Sequence, residues 1–118
     1  MSLIATLRAM PGVLAAGEYS YRGDRYVAEG ELPDELARKA SVMCRATSMG
    51  VRMEADILDH FCADDCGLMP TRGWIVQGPR FSVCVLSNVF CFVRNDAHEI
   101  NAVVRTMREA LDPAADII

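Results

Sequence analysis

With 118 residues, 52% of them hydrophobic and 24% charged, the chain has the make-up of one globular domain that can bury a core, and not that of a disordered segment. A net charge of -4, with no basic patch interleaved with aromatics, argues against a nucleic-acid surface. The N-terminus "MSLIATLRAM" has neither a basic start nor a long apolar run, so no signal peptide or membrane span is expected, and the five cysteines fit reduced thiols in a cytoplasmic protein.

Ser2 can cap a short helix carrying Leu3, Ile4, Leu7 and Met10 at helical spacing, which Pro11-Gly12 stops. A strand from Val13 to Tyr19 follows. The loop "SYRGD" offers Gly23 for a tight turn into "RYVAEG", so the two segments read as a hairpin, and Arg22-Gly23-Asp24 reads as turn chemistry rather than an adhesion motif. Pro33, Asp34 and Glu35 suit the first turn of the longest helix, and no breaker appears before Cys66. Three strands come next, "RGWIVQG", "RFSVCVL" and "VFCFVR", parted by Gly78-Pro79 and by the two-residue loop Ser87-Asn88. The all-apolar run from Val89 to Val93 implies burial on both faces. Asp96 and Glu99 form a capping box for a last helix carrying Ala97, Ile100, Val103, Val104, Met107 and Leu111, which Pro113 ends.

The order helix, two strands, long helix, three strands, helix implies an α+β domain with one mostly antiparallel sheet and helices on both sides. That order, with "MPGVLAAGEYS", the glycine turn, the long middle helix and "GWIVQGPRFSVCVLSNVFCFVRND", resembles the roadblock/dynein-light-chain superfamily over nearly the whole chain, in particular a small bacterial branch of it. The resemblance implies a single profilin-like domain over 1–118: a five-stranded sheet, the long middle helix on one face and the terminal helices on the other. It also implies dimers that bind Ras-like small GTPases.

On a wheel of about 100° per residue, Leu36, Ala40, Met43, Thr47, Val51, Leu58 and Phe61 fall on one stripe of the long helix, which is expected to face the sheet. A second apolar stripe, Val42, Ala46, Met49, Met53 and Ile57, lies beside it and needs its own cover, either a loop of the same chain or a partner subunit. Arg38, Ser41, Arg45, Ser48, Arg52, Asp56 and Asp59 form the remaining polar ridge. We therefore expect a homodimer in which this helix and the strand from Arg72 to Gly78 meet their symmetry mates, with Val42, Met49, Met53, Ile57, Trp74 and Val76 in the interface. Arg38, Arg45 and Arg52 recur every seven residues. Either they capture an acidic partner, by resemblance a Ras-like GTPase, or they are a solvated face balanced by Asp56 and Asp59.

The segment "DHFCADDCG", from Asp59 to Gly67, holds the densest set of ligand-type side chains. If the helix persists through it, His60 and Cys62 point roughly 160° apart and cannot share a metal, while Cys62 and Cys66 alone fall short of a four-ligand zinc shell. No metal and no cofactor are expected. In the hairpin about Ser87-Asn88, Cys84 falls opposite Cys91, in a pairing whose side chains sit too far apart for a relaxed disulfide, so both read as core fillers, as does Cys44. His98 and the carboxylate pairs Asp56/Asp59 and Asp64/Asp65 sit where solvation is the ordinary role, Trp74 reads as packing, and no catalytic motif is present. The chain thus reads as a non-catalytic interaction module. A thiol-based sensor or accessory protein of a redox system is a second reading, and a small-ligand sensor a third.

Overall fold

The structure, a computed structural model, describes residues 2–61, 71–95 and 100–111. Helix α1 spans Leu3–Ala9. Ser2 caps it by accepting a hydrogen bond from the Ala5 N–H at 3.2 Å, and the Arg8 guanidinium donates to the Val13 carbonyl at 2.9 Å, tying the end of the helix to the strand that follows. Strands β1 (Val13–Tyr19) and β2 (Tyr26–Gly30) form the expected hairpin. Its turn is held by Ser20, whose hydroxyl donates to Asp24 at 2.7 Å and accepts from the Asp24 and Arg25 N–H groups, while Gly23 takes φ 80°. The Arg22-Gly23-Asp24 tripeptide is therefore built into a turn, and the Ser20 hydrogen bond holds the Asp24 carboxyl below its ordinary pKa.

Helix α2 runs from Asp34 to Asp59, with Pro33 in the N-cap position and the acidic Asp34 and Glu35 in its first turn. It ends short of Cys66, with His60 as its C-cap. Strands β3 (Gly73–Gln77), β4 (Phe81–Leu86) and β5 (Val89–Arg94) form a meander, and α3 (Ile100–Ala110) closes the described chain. Leu86 pairs with Val89 across Ser87-Asn88, and Cys84 pairs with Cys91, as the hairpin register requires. The capping box at Asp96 and Glu99, the stop at Pro113, and the segment holding Cys62, Asp64, Asp65 and Cys66 lie outside the described residues, as does His98.

The sheet order is β2-β1-β5-β4-β3, with all four pairings antiparallel. This is the α+β, profilin-like arrangement of roadblock type. Side chains alternate across the sheet and feed two cores. Val89, Cys91 and Val93 of β5 join Ile4, Leu7, Val103 and Met107 on the side of α1 and α3. Phe90 of β5, with Val83 and Val85 of β4, joins Tyr19, Ala40 and Cys44 on the side of α2. The apolar run in β5 is thus explained by its central place, with helices on both faces. Gly17 of β1 lies directly under Phe90, and any Cβ there would overlap the ring.

Candidate functional site

A helix that packs against aromatic side chains must present small ones, and α2 does so. Its buried residues are Ala37, Ala40, Ser41, Cys44 and Ala55. On the wheel their centre is rotated by about 75° from the expected stripe. Ala40 alone of that stripe is buried; Leu36, Met43, Leu58 and Phe61, expected against the sheet, are exposed. Two serines assigned to the polar ridge turn inward instead. Ser41 donates to the Ala37 carbonyl at 2.9 Å, a bond within the helix that satisfies a buried hydroxyl. Ser48 joins three elements: the Trp74 indole N–H of β3 donates to its Oγ at 2.8 Å, and Tyr19 of β1 shares a hydrogen bond with it at 3.2 Å. Burial raises the Tyr19 pKa, and the Ser48 hydrogen bond opposes that shift.

The second apolar stripe points almost directly away from the sheet. Val42, Met49, Met53 and Ile57 are 51%, 53%, 67% and 60% exposed, so among the described residues no loop covers them. Two further interface candidates sit on β3, which is an edge strand. Trp74 is turned in against α2 by its bond to Ser48, whereas Val76, two residues along on the same face, is exposed.

The three arginines occupy a flank of α2 about a quarter-turn from the buried face, and not the crest opposite the sheet. They are not equivalent. Arg38 makes an ion pair with Glu35 at 2.9 Å, reinforced by a second hydrogen bond, which holds the Glu35 carboxyl below its ordinary pKa. Arg45 donates from Nε to the Tyr21 carbonyl and lies along Gly23, so it tethers the β1–β2 turn. Arg52 is exposed one helical heptad further on.

The opposite flank of α2 opens onto a cleft that sequence periodicity cannot reveal, because its walls come from distant segments. It encloses about 730 Å³ between Leu36, Ala40 and Met43 of α2 and the ends of β3, β4 and β5. Phe81 and Phe92, stacked with ring centres 5.8 Å apart, line it, and Trp74 and Val76 form a wall. Its charged lining residues are Lys39 and Arg80, both exposed.

The described thiols are sequestered. Cys44, Cys84 and Cys91 are free and buried, and burial pushes them up to about 12, 11 and 12. Such thiols stay protonated at neutral pH and are poor nucleophiles. Among the described residues no group of three or more His, Cys, Asp or Glu side chains is placed to hold a metal ion, and no helix is long and apolar enough to cross a membrane.

Neither curated proteins nor solved structures gave a match to this chain. One family model does, covering residues 3–109 and so nearly every element described above. The chain belongs to the family described as Uncharacterized conserved protein (DUF2173).

Proposed function

We propose that this protein is a non-catalytic interaction module that works as a homodimer and captures a protein partner, by its resemblance to roadblock proteins a Ras-like small GTPase. The observation that carries this reading is the uncovered crest of α2, where Val42, Met49, Met53 and Ile57 form one apolar strip on a helix already seated by its other side. Scattered exposed apolar residues are ordinary, but a continuous strip along about four turns of one helix is the pattern of a contact surface, and methionines adapt to an imperfectly matched neighbour. Crest meets crest about a twofold axis. The unpaired edge of β3 offers a second surface of the same chain, since an edge strand left open pairs readily with another. Arg52 then stands on the flank of the paired helices as the accessible cation for an acidic partner.

Light scattering at micromolar concentration should give twice the 13.0 kDa chain mass. Met49→Glu with Met53→Glu should return the mass to one chain, because two carboxylates cannot be buried there without partners. An unchanged mass would remove the crest from the interface. For partner capture, Arg52→Glu is a cleaner variant than Arg45→Glu, because Arg45 also holds the β1–β2 turn. A GTP-loaded Ras-like protein that is retained by the native dimer and released by Arg52→Glu is the expected result. Equal retention by both would leave the arginine flank as solvated surface.

A further inference from the structure

We propose that the cleft between α2 and the outer end of the sheet binds a long-chain carboxylate, with its hydrocarbon body along Phe81, Phe92 and Met43 and its head at Lys39 and Arg80. At about 730 Å³ the cleft has the size of a small-molecule site. Its walls are apolar, and the one indole N–H among them is already engaged by Ser48 at 2.8 Å. No array of donors and acceptors is therefore left to read a sugar or a nucleobase. A hydrocarbon chain asks for nothing else from such walls.

The charge at the mouth selects the head group. In a chain of net charge -4, the described residues lining this cleft include two cations and no carboxylate. Neither Lys39 nor Arg80 is paired with an acidic side chain among the described residues. The turn that carries Arg80 is also set in advance. Gly78 N–H donates to the Phe81 carbonyl at 3.0 Å, the Asn95 N–H donates to the Arg80 carbonyl at 3.0 Å, and the Asn95 side-chain amide donates to the Gly78 carbonyl. An anion entering there meets a guanidinium on a fixed backbone. A second copy of the chain fits less well, because a twofold contact across this cleft would bring two Lys39/Arg80 pairs together with no acidic lining to balance them.

The proposal is separable from the crest contact, which points away from the cleft, although Trp74 and Val76 of the β3 edge form one cleft wall. Trp74 is the only tryptophan of the chain and lines the site, so its fluorescence reports occupancy directly. Titration with monomeric hexadecanoate should change the Trp74 emission with one site per chain. Hexadecanol should bind about five- to tenfold more weakly, the share expected of exposed ion pairs. Lys39→Glu with Arg80→Glu, two exposed positions, should weaken hexadecanoate by at least that factor and leave hexadecanol and the oligomeric mass unchanged. Met49→Glu with Met53→Glu should leave hexadecanoate binding intact. Equal affinities for acid and alcohol, indifference to the double charge reversal, or no emission change would each overturn the proposal. So would a native dimer that Met43→Glu dissociates and hexadecanoate does not touch, which would mark the cleft as a contact between copies.

Discussion

Replacing Ser48 by alanine removes an oxygen that α2, β1 and β3 share. In the native chain the Trp74 N–H donates to Ser48 Oγ at 2.8 Å, and the Tyr19 hydroxyl lies 3.2 Å from the same atom and 3.4 Å from the Ser87 carbonyl. After Ser48→Ala the Tyr19 hydroxyl keeps the Ser87 carbonyl, so little is lost on that side. The indole N–H keeps nothing. A half-buried donor left without a partner costs about 1–2 kcal/mol, and the weakened tyrosine contact adds about 0.5 kcal/mol, for a total of about 1.5–2.5 kcal/mol. Urea unfolding followed by Trp74 emission and by far-ultraviolet circular dichroism measures this directly. Trp74→Phe removes the donor itself, so in that background Ser48→Ala should cost about 1 kcal/mol less. A change within about 0.5 kcal/mol of the native chain, or strict additivity of the two substitutions, would refute the claim that this bond holds α2 to the sheet edge.

Gly17→Ala places a methyl group into the fully buried Phe90 ring and against the Val27 carbonyl, so calorimetry should show a loss of about 1–3 kcal/mol. Gly50→Ala should do the opposite: nothing lies within 4 Å of a Cβ at this mid-helix position, so removing the glycine should stabilise the monomer by up to about 1 kcal/mol, read as a raised unfolding midpoint at low protein concentration. Alkaline pH should destabilise the fold. Cys44, Cys84 and Cys91 ionise near 9.0 when unfolded but are pushed up to about 12, 11 and 12 by burial, so above pH 9 the unfolded chain binds fewer protons than the folded one. The stability they contribute is intact below pH 9 and is lost between 9 and 11–12, by up to roughly 1.4 kcal/mol per thiol per pH unit, and urea midpoints at pH 7.5 and pH 10 with and without Cys84→Ala and Cys91→Ala test the slope.

The elements and their order were legible because punctuation marks them. Ser2, Pro11-Gly12, Gly23, Pro33, Gly78-Pro79 and Ser87-Asn88 all stand at element boundaries, and the two-residue loop alone determined the pairing of Cys84 with Cys91. The rotation of α2 was not legible, for a physical reason. Hydropathy ranks Leu36 and Met43 above Ala37 and Ser41, but a helix lying over Tyr19, Phe90 and Trp74 gains from small side chains at the contact and leaves long ones outside. The same error placed Ser48 on a polar ridge when it is the anchor of Trp74. The arginine spacing could be read from the chain, whereas the engagement of Arg38 by Glu35 and of Arg45 by the Tyr21 carbonyl depends on side-chain reach and on a turn 24 residues away. The cleft was invisible for a related reason, since Met43, Trp74 and Phe92 meet only after the sheet has formed.

The place of β1 beside β5 also bears on how the chain is made. Val13 pairs with Val93, so the first strand to leave the ribosome waits for the last of the described strands, and the gain from that pairing comes only after a long loop has closed. Until then one side of the nascent β1–β2 hairpin is an open edge bearing Val13, Ala15 and Tyr19. The strand that must cover it, "VFCFV", has no charge and strong β preference, the profile of a segment that self-associates when left unpaired. Synthesis arrested before Val89 leaves β1 and β4 with open edges and should give an aggregating chain, and refolding from urea should be limited by the docking of β5 between β1 and β4, seen as a single slow phase that Val89→Thr retards.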